Sequence, residues 1–223
     1  MTTALESTFT NTHDVATGRR IGKGCDIHPS AHLEENVSLG NNVYVGPGVI
    51  LKRGASVGDG TRLEADVYVG QFSKIGANSH VAERVTIADN VFVGNDCTLG
   101  SKVHLASGVY VEDNTNIGSH SIIGTRSRIG KNCYVGEHVI IGIDSLLRNS
   151  VTIGNKANLG NRVEIGDEVI IESGVQFNDD SSAGIKSVIE KGACIAPSVT
   201  VPHGTTVPGS TLTARHNKPI NRV

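Results

Sequence analysis

Residues 117–138 read IGSHSIIGTRSRIGKNCYVGEH. Ile117, Ile123, Ile129 and Val135 stand six apart, a period that belongs neither to the 3.6 of an α-helix nor to the 2 of an alternating strand. His120 and His138 fall eighteen apart, three such steps, at the same position of the repeat.

Stepping outward by six from this stretch, the pattern reaches back to Ile21 and forward to Val207. Thirty-two hexads run in register, and only Ala183 replaces a large apolar residue at the first position. The fifth position is as restricted: Cys25, Ala31, Val37, Val43, Ser73 and Val85 are all small or β-branched. Two inward positions flanking one outward position make a short strand, and positions two to four, rich in Gly, Asn and Asp, make the turn that follows it. Three strands and three turns close an 18-residue coil, and parallel coils stack at about 4.8 Å. The chain then makes about 10.7 coils, a prism on the order of 50 Å long. Six is the natural period because it is one side of a triangle.

This reading predicts an all-β protein, a parallel β-helix of triangular coils over residues 21–212. Residues 1–20 form an N-terminal arm or disordered tail and residues 213–223 a C-terminal tail. Open prism ends expose unpaired strand edges, so one of these segments is expected to cover an end. Composition agrees: 27 glycines, 4% aromatic residues and no Trp among 223 residues describe small, repetitive interior packing rather than a bulky core. With 20 basic against 22 acidic residues, the net charge of -2 gives no reason to expect nucleic acid or an anionic membrane as partner. No apolar run reaches the roughly 20 residues needed to span a bilayer, and residues 1–20 hold no apolar signal core, so a cytoplasmic location is expected.

The pattern, seen in IGDEVI, VGEHVI and LGNRVE, resembles the hexapeptide-repeat proteins, whose fold is a left-handed parallel β-helix. The resemblance covers nearly the whole chain. It implies an acyltransferase working as a homotrimer with active sites between prisms, taking its acyl group from coenzyme A or acyl carrier protein. The handedness rests on this resemblance alone, since parallel crossovers otherwise favour the right hand.

Candidate site residues come from several places. Residues eighteen apart stack, so one corner column reads Lys102, His120, His138, Lys156 and Gly174, with His104 on the same side. One imidazole is a candidate general base for an attacking amine, and its neighbours would attract anionic parts of the substrates. In the branch of the family that acetylates nucleotide-linked amino sugars, a late coil carries phenylalanine, threonine, asparagine and aspartate. GVQFNDDSSAG is similar, with Phe177, Asn178, Asp179 and Asp180 in that order, which implies substrate binding by Asn178, Asp179 and Asp180. The proline and arginine that follow in that branch are missing. Ten hexads earlier the branch places a histidine at position three; here Ser119 takes that position and His120 follows it. NKPINRV resembles the ending of many of these acetyltransferases, and the coils before it resemble those flanking the pantetheine arm. Lys186, Lys191, Arg215 and Lys218 are therefore the expected partners of the phosphates of acetyl-CoA.

Other classes bound this reading. A γ-class carbonic anhydrase shares the fold but needs histidines separated by four residues; His28 and His32 are separated by three, and no metal is expected. Cys25, Cys97 and Cys133 fall at inward positions and Cys194 at an outward one, none with metal-ligand spacing. The alternative to an enzyme is a non-catalytic scaffold or assembly subunit, favoured by hexads that no loop interrupts. For the trimer, the outward apolar residues Ile122, Ile140, Leu146, Ile170 and Val188 are the expected interface.

Overall fold

The computed structural model describes residues 13–14, 17–209 and 212–213. Two-residue strands recur every six residues from Asp26–Ile27 to Thr206–Val207. No helix occurs among the described residues. The strands form three parallel sheets, one of twelve strands and two of eleven, in which each strand pairs with the strand eighteen residues away. We number the faces by chain order. Face one carries Arg20 and Ser38, face two Asp26 and Tyr44, and face three His32 and Ile50. Among the described residues the one antiparallel pair is at the N-terminal end, where His13–Asp14 adds a strand to Arg19–Ile21 on face one.

The periodicity becomes packing directly. First-position residues such as Ile117, Ile123, Ile129 and Val135 are fully buried, and each such side chain contributes about 1.5–3 kcal/mol of hydrophobic stabilisation. Ala183, the one small residue of the series, is buried as well. Fifth positions accept Ser, Thr and Cys because the stacked coils give them partners. Ser121 Oγ donates to the Gly136 carbonyl at 2.9 Å and accepts from the Val139 amide at 3.0 Å. The Cys133 thiol donates to the Arg148 carbonyl at 3.1 Å, and its burial pushes its pKa up to about 11. No buried side-chain nitrogen or oxygen among the described residues lacks a partner. The coils near the two ends are less tightly closed, with Ile27, Ala31 and Leu33 partly buried in the first and Val199 in a late one.

The turns are as regular as the strands. Fourth-position residues have positive φ along all three corners, among them Asn42, Asn114, His120 and His138. Asn, Asp and Gly tolerate this left-handed conformation best. At the second position close stacking favours glycine: a Cβ on Gly118 would lie 2.6 Å from the Gly136 carbonyl. Third-position Asn and Asp side chains clamp one coil to the next, as where Asn149 Oδ1 accepts from the Lys131 amide at 3.0 Å and Asp167 Oδ1 from the Asn149 amide at 2.9 Å.

Candidate functional site

The corner between faces two and three holds both histidines. Their backbone amides donate to the Ser101 and Ser119 carbonyls of the preceding coils at 2.9 Å, which fixes the corner. φ values of 62° and 56° send both side chains outward, where the rings stack with centroids 4.7 Å apart and planes 10° from parallel. Both residues are exposed, and neither ring hydrogen-bonds within the described residues. Lys102 and Lys156 continue the column on either side, as the sequence predicts, and one further coil back adds Arg84, also exposed and at positive φ. Arg84 was legible as well: it lies eighteen residues before Lys102.

The acidic run occupies a different corner, between faces three and one. Asp180 takes both its oxygens to Arg162, at 2.6 and 2.9 Å, and the guanidinium holds its carboxyl below the ordinary carboxylate range. Asp179 Oδ1 accepts from the Asn161 amide at 2.8 Å, and Asn178 Nδ2 donates to the Ile195 carbonyl at 2.8 Å. Arg126 and Asp144 pair in the same bidentate way two coils earlier, so this corner alternates Arg126, Asp144, Arg162 and Asp180. His138 and Asp180 are thus one face apart across the prism and two coils, about 10 Å, apart along it.

The expected phosphate partners do not converge within the described chain. Lys186 stands on the corner between faces one and two, 3.6 Å from Glu168, whereas Lys191 stands on the corner between faces two and three, its amide bonded to Glu172. Arg215, Lys218 and the NKPINRV segment lie outside the described residues. The outward apolar residues expected at the trimer interface divide among the three faces. Ile122 and Ile140 are paired neighbours on face three, but Leu146 lies on face one and Ile170 with Val188 on face two. A step of eighteen keeps residues on one face, and Leu146 and Ile170 are not whole coils from Ile140.

No disulfide joins any of the four cysteines; three are buried and Cys194 is half-buried. No group of three His, Cys, Asp or Glu side chains that could hold a metal occurs among the described residues. No helix among them is long and apolar enough to cross a membrane.

Taken together, the three parallel sheets, the six-residue sides and the positive-φ corners define a hexapeptide-repeat protein, a left-handed parallel β-helix. The family model described as the GMPPB C-terminal domain matches residues 20–106 and again 63–151, jointly more than half of the chain, and the chain belongs to this family of β-helix domains. Among solved structures, the UDP-N-acetylglucosamine acyltransferase of Francisella novicida matches with a TM-score of 0.58 at 19% identity, over 78% of this chain and 66% of its own. The chain therefore spans just under two thirds of that protein's length. The UDP-N-acetylglucosamine acyltransferase of Campylobacter jejuni matches at 0.44 and 23% identity, over 78% of this chain and 68% of its own. The acetyltransferase domain of PglB from Neisseria gonorrhoeae matches at 0.25 and 25% identity, over 55% of this chain and 48% of its own. No curated protein sequence matches the chain.

Proposed function

We propose that the protein is an acyltransferase that moves an acetyl group from coenzyme A to the amine of an amino sugar, with His120 as general base. The observation that carries this reading is the outward pair of imidazoles, without hydrogen bonds to the described residues and stacked at 4.7 Å on a corner fixed by the backbone. A base needs an accessible lone pair and a rigid mount, and this corner has both. The acyltransferase named for the Francisella novicida structure supports the same class of chemistry.

In the step we envisage, the acceptor amine attacks the thioester carbonyl carbon and a C–N bond forms. A ring nitrogen of His120 takes the amine proton, and His138 positions the acceptor. The tetrahedral intermediate then collapses with cleavage of the C–S bond, and the proton passes to the departing sulfur, giving an amide and free coenzyme A. In this reading the chain works as a trimer in which the Ile122 and Ile140 pair on face three is covered, leaving the histidine corner along the cleft between prisms. Asn178, Asp179 and Asp180 then support the acceptor from the next corner, and direct contact by Asp180 requires its Arg162 pair to open. Four cysteines that form no disulfide agree with a cytoplasmic site of action.

A second reading is a non-catalytic scaffold. It is favoured by the absence of any interruption among the hexads from Asp26 to Val207 and by a family model that describes a C-terminal domain. Free-thiol release from acetyl-CoA, measured with a panel of amino sugars, separates the two. Acceptor-dependent release supports the transferase, and release no faster than buffer across the panel supports the scaffold.

A further inference from the structure

The three corners carry charge in different ways. The corner between faces one and two keeps Asn78, Asp96, Asn114, Asn132 and Ser150 at its positive-φ positions, residues suited to that backbone or small. The corner between faces three and one places cations there too, but alternates them with carboxylates, Arg126 with Asp144 and Arg162 with Asp180. Over the same coils the corner between faces two and three carries Arg84, Lys102, His120, His138 and Lys156 in unbroken succession. Arg, Lys and His replace the residues that favour this backbone, and the cations Arg84 and Lys102 stand one coil, about 4.8 Å, apart, with Lys156 three coils, about 14 Å, beyond Lys102. Glu83, 3.6 Å from Arg84, is the one carboxylate paired with this ridge among the described residues.

A second column runs beside the ridge on face two. Thr98, Asn116, Tyr134 and Thr152 lie in register with Lys102, His120, His138 and Lys156. Their side chains make no hydrogen bond within the described residues, and Tyr134 is 49% exposed. The prism therefore presents two parallel rows at one repeat, one of positive or protonatable groups and one of neutral hydrogen-bonding groups.

We propose that this corner binds a linear anionic glycan, a chain with one carboxylate or sulfate per sugar or so, lying along the prism axis. Its anionic groups meet Arg84, Lys102 and Lys156, and its hydroxyls meet the row on face two. Tyr134 offers a ring against which a sugar can stack. The five-coil ridge extends about 19 Å, further than the adjacent charges of a nucleotide diphosphate reach. Polyphosphate has no hydroxyls to use the second row, and single-stranded nucleic acid calls for successive aromatic platforms where this strip has one. The inference rests on the proposed function only in making the acceptor sugar a unit of that chain, held over the histidine pair between flanking cations.

Binding is measured without acyl donor, by fluorescence anisotropy with fluorescein-labelled oligogalacturonates of two, four and six units. Affinity should rise at least about tenfold from the shortest to the longest probe, and fall by a similar factor in the methyl-esterified six-unit probe. The double variant Lys102→Glu with Lys156→Glu should lose at least about tenfold, while Arg128→Glu on face one stays near wild type. Affinity independent of length, an unaffected double variant, or tighter binding of polyphosphate or a single-stranded oligonucleotide would each overturn the proposal. Thiol release with amino sugars but no oligogalacturonate binding removes the glycan and leaves the transferase; binding without release does the reverse.

Discussion

Replacing Phe177 by Ala tests how the prism holds its late coils without touching the histidine corner. Phe177 is the bulkiest fully buried side chain among the described residues, 1% exposed, and packs on face three between Leu159 and Ile195 of the adjacent coils. Truncation of a buried Phe costs about 3–5 kcal/mol, including the cavity left behind. In a solenoid each coil contacts only its neighbours, so this loss should fall on the coils around and beyond residue 177. At about 1.4 kcal/mol per tenfold, amide exchange there should speed up by roughly two to nearly four orders of magnitude. Hydrogen-exchange mass spectrometry resolves this by peptide. Peptides from 160–207 should lose protection while those from 20–110 keep wild-type rates. Uniform acceleration along the whole chain would refute the neighbour-only picture.

Three further outcomes follow from the geometry. Ile122 and Ile140, 45% and 46% exposed on adjacent strands of face three, should hold the trimer, so Ile122→Glu with Ile140→Glu should give monomers by light scattering, and an unchanged particle mass would place the interface elsewhere. Asp144 and Asp180 are held below the ordinary carboxylate value of 3.8 by their arginine partners, so their contribution to stability is present above that pH and lost as pH falls through the lowered values; the Asp144→Asn, Asp180→Asn variant should therefore show a smaller drop in Tm between pH 7 and 3 than wild type. Iodoacetamide should label Cys194 rapidly in the native protein and Cys133, raised to about 11 and buried, only after denaturation, as read by mass spectrometry.

The fold was legible because its period is carried by burial itself. Each first-position side chain from Leu39 to Val207 faces the interior, and one misplaced residue would have turned a strand inside out. The stacking of His120 on His138 followed from the same arithmetic, since residues eighteen apart must share a corner. What the sequence concealed were contacts that depend on which side chain reaches which neighbour. FNDD looked like a substrate motif, yet Asp180 closes on Arg162 and Asp179 on the Asn161 amide, because eighteen residues earlier stand an arginine and a free backbone donor. Ile122, Ile140, Leu146, Ile170 and Val188 share the outward sixth position, and steps of eighteen divide them among three faces. Arg84, eighteen residues before Lys102, extends the basic column by one coil.

The central claim, that the histidine corner performs acyl transfer, is tested most directly by turnover of His120→Ala and His138→Ala on an acceptor identified by thiol release. Removing a general base typically lowers the rate by about 10² to 10⁴ fold. The account predicts a loss in this range for His120→Ala, and for His138→Ala a smaller loss that appears mainly in KM, both with wild-type particle mass and Tm. Full turnover in both variants would contradict it and leave the stacked imidazoles as a solvated corner of the prism.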